Sequence, residues 1–379
     1  MSKKKIMAGC LAAFLAGGIA AVGGICYLVG FRAEHIGDLA RFLGARRFIE
    51  SRYVGDVDDE KLMDGAISGM VQALGDPHSI YLDPEMYGQL MSQTEGSFGG
   101  IGVYMGFKDG SVSIISVMEG TPGESAGLRA GDEIVAVDGT PVTEYQPEEV
   151  AMHIRGEVGT DVTLTIRRAG EEDKDYTLTR GSIEMKTVAG KMLADGMGYI
   201  RIGTFSEHTG REFASALQEL EGQGMQGLIL DLRENPGGLI KSCVEVADHV
   251  VPKGTVVSVI EKNGKKETYE SDLAESKYPI VVLIDGNSAS AAEILAGALQ
   301  DTGAATLVGT KSYGKGSVQV VVPMHHDDAL KLTIAKYYTP SGRCIDGIGI
   351  EPDVEVALPQ DATSDVQLEK AEEVLRSKL

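Results

Sequence analysis

Hydrophobic and polar residues follow different periods along the chain, and each period predicts a different kind of element. The chain opens on residues 6–31, which carry no charge. Between 34 and about 93, apolar residues recur at helical spacing, and Gly75-Asp76-Pro77 is expected to end the second helix. Short stretches of period two follow and predict strands. They lie at 112–117, 133–137, 161–167 and 175–179, with a helix at 148–155. We therefore expect a small, independent β-rich module in this part of the chain.

The second half of the chain has longer elements, in which apolar strands alternate with amphipathic helices. Strands are predicted at 197–202, 227–232 and 280–284, and helices at 209–221, 239–251 and 289–299. Fully apolar strands are typical of parallel sheets that are buried on both faces. The alternation indicates α/β layering. A charged stretch at 366–375 is interpreted as a short helix that forms a solvated cap.

These patterns predict a multidomain chain of mixed α/β and α+β class. The length of 379 residues agrees with about two to three domains. We divide the chain into a basic start with the uncharged stretch, a helical region, the β-rich module, the α/β domain and a helical tail. The corresponding ranges are 1–31, 32–95, 96–181, 182–358 and 359–379.

Composition is that of a folded protein, and the charge excludes one class of partner. Hydrophobic residues make up 43% and charged residues 24%, so disorder is excluded as the main state. The formal net charge is −21, of which residues 1–50 carry +4 and the remaining 329 residues carry −25. A body this acidic repels the phosphate backbone of nucleic acids. We therefore expect no nucleic-acid partner.

The uncharged stretch 6–31 predicts a membrane anchor. Lys3, Lys4 and Lys5 precede it, and its 26 residues would form a helix of about 39 Å, enough to cross a bilayer core of about 30 Å. The alternative is a cleaved signal peptide, whose apolar core usually has only about 7–15 residues. Because positive residues stay on the cytoplasmic side, we expect a single-pass protein of the cell membrane. The acidic body would then lie outside the cytoplasm.

The four cysteines do not indicate a disulfide scaffold. Cys10 and Cys26 fall in the predicted anchor, and Cys243 and Cys344 are too few to staple a body of this size. Whether Cys243 pairs with Cys344 is left open by the sequence.

Two strand-to-helix turns carry residues suited to catalysis. The first is Asp231-Leu-Arg-Glu-Asn-Pro-Gly-Gly238, and the second is Asp285-Gly-Asn-Ser-Ala-Ser290-Ala291. At the start of a helix, unpaired backbone N–H groups and the helix dipole favour negative charge, which an oxyanion hole requires. A serine at such a position can also act as a nucleophile. The alternative is that Ser288 and Ser290 only cap the helix.

A third segment, Tyr313-Gly-Lys-Gly-Ser-Val-Gln319, offers a base. In an extended strand Lys315 and Gln319 lie two periods apart and project from the same face. A lysine accepts a proton only when it is neutral, so Lys315 has to be buried, with a pKa well below its usual value of about 10.4. Gln319 can orient the amine without adding charge. A Ser-His-Asp triad that uses a distant histidine is a weaker alternative.

Histidines and carboxylates also meet at His325-His326-Asp327-Asp328. We interpret this group as a hairpin turn rather than a metal site, because adjacent polar residues are typical of turns. No metal and no cofactor is expected.

Two sets of motifs resemble known families. Residues 120–139, which include Gly-Leu-Arg-Ala-Gly-Asp and end in Asp-Gly, look like the centre of a PDZ domain. Arg233-x-Asn-Pro-Gly-Gly, Ser288-Ala-Ser-Ala-x-Glu and Tyr-Gly-Lys315-Gly-x-x-x-Gln closely resemble the carboxyl-terminal processing peptidases. These are serine peptidases with a PDZ domain inserted before a Ser-Lys catalytic domain. The resemblance covers roughly residues 47–352. It implies a PDZ domain at 96–181 and a peptidase core of crotonase-like layering at 182–358.

The resemblance also assigns catalytic roles. It makes Ser290 the nucleophile, Lys315 the general base and Gln319 the residue that orients the lysine. Two backbone N–H groups, from Gly237 or Gly238 and from Ala291, become the oxyanion hole. Asp301 matches an acidic position of the family that supports the site.

In the PDZ domain, the resemblance makes Gly99-Gly100-Ile101-Gly102 the loop that binds a peptide carboxylate. Glycines let backbone amides point together at an anion, in agreement with this role. The alternative is a glycine turn without a ligand. We also hypothesise that Arg155 bridges the PDZ and catalytic domains in a switch.

Together these inferences predict a membrane-anchored, extracytoplasmic serine endopeptidase. Its partners would be protein substrates recognised by their C-terminal tails. By resemblance, the N-terminal helices are expected to make contacts in a homodimer. The competing hypotheses are a PDZ-bearing adaptor with an inert hydrolase domain and a Ser-His hydrolase of small esters.

Overall fold

The computed structural model describes residues 36–108, 111–357, 359 and 363–379. The predicted anchor at 6–31 lies outside the described residues. Among the helices that are described, none has both the length and the apolar character needed to cross a membrane. The chain divides into two compact units, Met1–Ala73 and Leu74–Leu379.

The described part of the first unit consists of two helices. They are α1 (Ile36–Arg52) and α2 (Asp59–Gln72). The side chain of Asp58 caps α2 by accepting hydrogen bonds from the N–H groups of Glu60 and Lys61, at 3.1 and 3.2 Å. Several apolar side chains remain exposed, including Leu43, Phe48 and Met70. Helix α2 was predicted to end at Gly75, and it ends at Gln72.

The second unit begins with β1 (Ile80–Leu82), α3 (Pro84–Glu95) and β2 (Ser97–Gly100). Asp83 caps α3 and Pro84 occupies its first turn, while Gly96 ends it with a φ of 73°. The sequence analysis assigned this region to helices alone and missed β1. That strand pairs with residues 329–331, about 250 positions further on, so no local pattern specifies it.

The β-rich module follows the prediction closely. Its elements are β3 (Val103–Lys108), β4 (Ser111–Val117), α4 (Pro122–Ser125), β5 (Glu133–Val137), β6 (Thr140–Pro141), α5 (Pro147–Ile154), β7 (Asp161–Arg167) and β8 (Lys174–Thr179). The strands form one sheet in the order β3-β4-β5-β7-β8, with β6 on β5. Ile114, Ile134 and Leu164 are buried between this sheet and the helices. Strand β3 lies at an open edge.

A two-stranded ribbon leads out of this module. Strand β9 (Gly181–Glu184) pairs antiparallel with β2, so Gly99 faces Ser182 and Gly100 faces Gly181. The ribbon brings the two ends of the β-rich module together. The chain then enters the α/β domain.

The α/β domain alternates strands and helices as predicted. In chain order its elements are β10 (Val188–Met192), β11 (Met197–Ile202), α6 (Thr209–Gly222), β12 (Gly227–Asp231), α7 (Ile240–Val250), β13 (Gly254–Glu261), β14 (Lys266–Ser271), β15 (Ile280–Ile284), α8 (Ala291–Asp301), β16 (Ala305–Gly309), β17 (Ser317–Pro323), β18 (Ala329–Tyr338), β19 (Val354–Glu355) and α9 (Val366–Arg376). The strands and helices predicted in the last two thirds of the chain agree with these boundaries to within two residues. The polar group at 325–328 forms the turn between β17 and β18.

Two sheets build this domain. The larger has the order β10-β11-β12-β15-β16-β19 and is parallel from β11 onward. Successive residues of β12 point to opposite faces, so Leu228 and Leu230 pack with α6, α7 and α8, whereas Ile229 packs with α9. The second sheet has the order β1-β18-β13-β14, with β17 on β18. The active-site candidates lie where the larger sheet meets this second sheet.

The last helix is more buried than its sequence predicts. The stretch 366–375 was interpreted as a solvated cap, but Ala371 and Leu375 of α9 are fully buried against β12 and β15. The charged residues that dominate the stretch lie on the other side of the helix. Only a few apolar residues recur on one face of this helix, so its mainly charged composition did not indicate that this face is buried.

The two cysteines in the described residues do not pair. Cys243 is buried in α7, and Cys344 is half-buried; both are free thiols. The Sγ of Cys243 lies 3.2 Å from the carbonyl oxygen of Ala291.

Candidate active site

The two turns singled out in the sequence lie side by side at the carboxyl ends of β12 and β15. Three hydrogen bonds join them. The hydroxyl of Ser288 donates to the Leu232 carbonyl at 2.8 Å, and the Ala289 N–H donates to the Asn235 carbonyl at 2.9 Å. The third runs from the Glu234 N–H to the Asp285 carboxylate at 3.0 Å. Neighbouring parallel strands bring the turns together, and these bonds fix their relative position.

The two serines of the second turn differ in their surroundings. Ser288 is fully buried and its hydroxyl is engaged with Leu232 and Asp285, so its role is structural. Ser290 is half-buried and precedes α8 with φ 55° and ψ −116°. This backbone conformation is costly for a residue other than glycine and persists only where the surrounding structure enforces it. Strain of this kind is concentrated at functional sites.

Lys315 lies in the loop before β17 and is half-buried. Burial lowers the pKa of its ammonium group below the usual value, and the positive charge of Lys331 lowers it further. Glu293 acts in the opposite direction without reversing the shift. The environment therefore favours the neutral amine that a general base requires.

Glu293 connects Ser290 and Lys315. Its carboxylate is fully buried, and one oxygen accepts the backbone N–H groups of Ser290 and Lys315 at 2.8 and 2.9 Å. The other oxygen accepts the Gly314 N–H at 2.7 Å and the Ser312 hydroxyl at 2.5 Å. Four donors therefore converge on one buried charge, which is how a buried carboxylate is stabilised.

No role was predicted for Glu293 from the sequence. The spacing Ser290-x-x-Glu293 has the form of a capping box, which places the glutamate beside the start of a helix. That signal was available, but it does not reveal that the lysine loop closes on the same carboxylate.

Tyr337 forms a second connection between the same two residues. Its side chain is 1% exposed, and its hydroxyl lies within hydrogen-bonding distance of the carbonyl oxygens of both Ser290 and Lys315. Burial raises the pKa of the phenol well above its usual value, and the charge of Glu293 adds to this shift. The neutral hydroxyl can therefore donate. No sequence motif indicated this residue.

The oxyanion-hole candidates lie directly against Ser290. A β-carbon added to Gly237 would lie 2.7 Å from Cβ of Ser290 and 2.9 Å from the nitrogen of Ala291. Gly237 and Gly238 have φ values of 102° and 135°, which favour glycine. The glycine turn after β12 thus lies directly against the turn that carries Ser290 and Ala291.

The hydrogen bonds distinguish between the two glycines. The N–H of Gly237 donates to the side-chain oxygen of Asn235 at 2.8 Å. Within the described part of the chain, the N–H groups of Gly238 and Ala291 have no hydrogen-bond acceptor. The free donors are therefore those of Gly238 and Ala291.

Gln319 lies in β17, and Lys315 lies in the loop before this strand. Strand β17 begins at Ser317, after the lysine, and the pairing with β18 shifts register between Val318 and Gln319. The Gln319 amide donates to Ser317 and Thr333, at 2.9 and 3.1 Å. That Gln319 orients the Lys315 amine stays a prediction.

Asp301 lies at the other end of α8, eleven positions after Ser290. Its carboxylate accepts the Ser341 N–H at 2.9 Å and forms an ion pair with Arg343. Burial opposes ionisation of Asp301, but hydrogen bonds from Ser341 and Thr339 hold its pKa below the usual value. Asp301 therefore anchors the loop after β18, away from the reacting residues.

The predicted carboxylate loop of the β-rich module is only partly a loop. Gly99 and Gly100 belong to β2, and a β-carbon on Gly99 would lie 1.9 Å from the Gly156 carbonyl oxygen. Ile101 and Gly102 connect β2 to the edge strand β3, and Gly102 has φ 74°. The connection therefore ends at an open sheet edge.

Arg155 lies at the end of α5, with its guanidinium carbon 4.3 Å from the ring centre of Phe98 in β2. This cation–π contact ties α5 to the ribbon that joins the two domains. The structure thus places Arg155 beside the connection rather than in the catalytic site.

Three regions of the chain match known families. Residues 196–356 match peptidase family S41, residues 113–168 match the PDZ domain, and residues 31–86 match the activating protease CtpB N-terminal domain.

Individual relatives agree with this assignment. Carboxy-terminal processing protease CtpB of Bacillus subtilis (strain 168) is 41% identical over 321 residues, which are 83% of this chain and 67% of the relative. A carboxy-terminal-processing protease of Bartonella bacilliformis is 40% identical over 333 residues, 85% of this chain and 75% of the relative. Among solved structures, the photosystem II D1 C-terminal processing protease matches with a TM-score of 0.51 and 31% identity. That match covers 88% of this chain and 90% of the other.

The fold and these matches define a serine-type peptidase that carries a PDZ domain. The chain belongs to the carboxy-terminal processing proteases of peptidase family S41.

Proposed function

We propose that this protease uses Ser290 as its nucleophile and Lys315 as its general base. The observation that carries the proposal is the shared oxygen of Glu293, which holds the backbones of Ser290 and Lys315 together. Two further features support it. The strained φ of Ser290 is typical of functional residues, and the lowered pKa of Lys315 favours a neutral amine.

The reaction is an acyl transfer in two stages. The Ser290 oxygen adds to the scissile carbonyl carbon as its proton passes to the Lys315 amine. The carbonyl oxygen becomes an oxyanion, which the N–H groups of Gly238 and Ala291 stabilise. The C–N bond then breaks, Lys315 returns the proton to the leaving amine, and an acyl ester remains on Ser290. A water molecule adds to the ester carbonyl as its proton passes to Lys315. The C–O bond to Ser290 then breaks, Lys315 returns the proton to the Ser290 oxygen, and the carboxylate product is released.

A histidine-based triad has less support. The Ser290 backbone contacts the side chains of Glu293 and Tyr337, and both of these side chains also contact the backbone of Lys315. The Ser-His alternative would require a histidine in that position.

In our proposal, the PDZ domain recognises the C-terminal tail of the substrate. Strand β3 is an open edge, and the connection at Ile101 and Gly102 leads directly into it. A peptide can add to such an edge as an extra strand, with its carboxylate at the preceding backbone amides. Arg155 lies at the nearby ribbon, where we propose that it acts in communication between the domains.

We further propose that residues 6–31 anchor the protease in the cell membrane, with the peptidase outside the cytoplasm. The absence of charge over 26 residues and the lysines before them support this location. The exposed apolar side chains of α1, such as Leu43 and Phe48, support self-association into a homodimer. Membrane fractionation and external protease digestion of intact cells would test the location.

The catalytic proposal is tested by cleavage of an unfolded protein such as casein with the full chain in detergent. We expect turnover by the wild type and loss of it in Ser290→Ala and Lys315→Ala. Equal rates in all three proteins would exclude this dyad. The cleavage would then come from a contaminating protease, and the result would favour an adaptor with an inert hydrolase domain. Retained activity in Lys315→Ala together with loss on replacing a histidine would favour the Ser-His hydrolase.

The PDZ proposal needs a separate measurement. One peptide substrate is prepared with a free and with an amidated C-terminus. We expect amidation to weaken cleavage in the wild type because the carboxylate contact is lost. Equal cleavage of both peptides would contradict recognition of the tail.

A further inference from the structure

Arg233 links the oxyanion turn to the last helix. It lies two residues after β12 in the turn that contains Gly238, and its side chain is 13% exposed. On one side its guanidinium donates to Asp231, which is 1% exposed. On the other side it donates to both carboxylate oxygens of Asp365, each at 2.8 Å, and to the side-chain oxygen of Gln367 at 3.1 Å. A paired bidentate contact of this kind fixes both distance and orientation.

Asp365 is itself held by the helix. It is the N-cap of α9, and its side chain accepts the Leu368 N–H at 3.0 Å. The Arg233 guanidinium holds the pKa of Asp365 below its usual value, so Asp365 is a carboxylate at neutral pH. Gln367 is 2% exposed and also donates to the Val356 carbonyl at 2.7 Å. The acceptor set for Arg233 is thus rigid.

The helix that carries this acceptor set is docked firmly. Ala371 and Leu375 are fully buried against the face of the sheet that includes Ile229 and Val281. Position 365 is therefore fixed relative to β12 by apolar packing as well as by the ion pair.

The turn beyond Arg233 needs external support. Glu234 has a φ of 57°, and Gly237 and Gly238 also have positive φ values. A residue other than glycine is strained at such a φ, and it keeps this conformation only where its surroundings impose it. The Glu234 N–H is held by Asp285, and Asn235 is held by bonds to Ile202, Gly237 and Ala289. Arg233 adds a constraint on the residue that precedes Glu234.

We propose that helix α9 is a positioning element of the active site, which acts through Asp365 and Arg233 to hold the oxyanion turn in its catalytic conformation. This inference rests on the proposed catalytic function. Asp365 does not touch the reacting atoms. Its loss leaves substrate binding intact but displaces the Gly238 N–H from the oxyanion, so the effect falls on kcat rather than on KM. A displacement of about 1 Å at such a site can cost about 100-fold in rate.

The test is Asp365→Ser in the full chain. Serine caps a helix about as well as aspartate, so the start of α9 is preserved while the carboxylate that binds Arg233 is removed. The matched control is Arg376→Gln, which removes an exposed ion pair with Asp195 at 2.9 Å near the other end of the same helix. Peptide cleavage gives kcat and KM, and a peptide boronic acid, which forms a tetrahedral adduct with a serine, reports on the oxyanion hole.

We expect Asp365→Ser to lower kcat about 10- to 100-fold, with KM within about twofold, and to weaken boronate inhibition by a similar factor. Arg376→Gln should match the wild type in all three quantities. Wild-type kcat in Asp365→Ser would overturn the inference, as would an equal loss in Arg376→Gln or a loss that appears in KM alone. Wild-type and Ser290→Ala proteins are measured in parallel. Retained cleavage in Ser290→Ala would refute the proposed function itself, which separates the two failures.

Discussion

Ser290 and Lys315 donate their backbone N–H groups to the same oxygen of Glu293, at 2.8 and 2.9 Å. The two residues are 25 positions apart, and they come from a helix start and from a loop before a strand. A single buried carboxylate therefore sets the position of the proposed nucleophile relative to the proposed base. The following expectations derive from this arrangement.

Glu293→Gln should reduce both activity and stability. The amide of glutamine presents a donor to groups that already donate, and it removes the charge that four hydrogen bonds stabilise. We expect kcat to fall about 100-fold because the two catalytic backbones separate, and stability to fall by about 2–4 kcal/mol. Cleavage kinetics and thermal unfolding measure these effects.

Glu212→Gln is the matched control for that substitution. Glu212 also accepts two backbone N–H groups, from Thr187 and Val188 at 2.8 and 3.0 Å, but it lies on α6. It should lose stability without a comparable loss of kcat. An unchanged kcat in Glu293→Gln would remove the positioning role.

Tyr337→Phe should lower kcat about tenfold with little effect on KM. The substitution keeps the buried ring and removes only the hydroxyl that lies between the Ser290 and Lys315 carbonyls. The neighbouring Tyr338→Phe serves as the control and should behave like the wild type. If both variants lose the same activity, the effect is on β18 as a whole.

The pH dependence of cleavage should depend on Lys331. Activity rises with pH as Lys315 loses its proton, and burial together with the Lys331 charge lowers the pKa of Lys315. In Lys331→Gln the protonated form of Lys315 is less disfavoured, so its pKa rises and the rising limb of the profile moves to higher pH. Lys311→Gln, which removes an exposed cation paired with Glu351, should leave the profile in place. A profile that moves to lower pH in Lys331→Gln would contradict this electrostatic account.

Gly237→Ala should abolish most activity. The added β-carbon would lie 2.7 Å from Cβ of Ser290 and 2.8 Å from the Ala289 carbonyl oxygen, and the φ of 102° is unfavourable for alanine. We expect a loss of about 100-fold or more in kcat. Gly69→Ala, in the middle of α2 with open space around it, should instead stabilise its helix by about 0.5–1 kcal/mol. Circular dichroism would confirm that Gly237→Ala still folds, and normal activity in that variant would contradict the close approach.

Asp76 should make stability depend on pH in the acidic range. Hydrogen bonds from Ser79 and Thr333 lower its pKa from 3.8 to about 2. Since the folded-state pKa is the lower one, the stabilisation is present above pH 3.8 and disappears as the pH falls toward 2. At pH 7 the free energy of unfolding of Asp76→Asn should therefore be lower than that of the wild type, by about 1 kcal/mol after solvent screening. The variant should accordingly unfold at a lower temperature. The two unfolding midpoints should approach each other as the pH falls from 3.8 toward 2, and a constant difference at all pH values would exclude this cause.

Much of the fold could be predicted from the sequence, because local patterns specify it. The apolar runs of β12 and β15 and the stripe of α6 gave strand and helix boundaries to within two residues. Ser290, Lys315, Gly238 and Ala291 were named from motifs that resemble those of the carboxyl-terminal processing peptidases.

Other features depend on contacts between distant parts of the chain. Strand β1 exists because it pairs with β18, and the helix α9 is buried because the sheet offers it an apolar face. The Gln319 amide donates to Thr333 of β18, and the pairing of β17 with β18 shifts register between Val318 and Gln319.

The sequence by itself determined which residues can perform the chemistry, through local period, turn composition and motif order. Only the tertiary structure decided which groups hold them in place. Three side chains contact the proposed catalytic turns, those of Glu293, Tyr337 and Asp365. Their positions depend on the packing of helices and strands that lie far apart in the chain. A local pattern carries no information about contacts between distant segments. The roles of Tyr337 and Asp365, and the contact of Glu293 with the lysine loop, therefore became visible only in the folded chain.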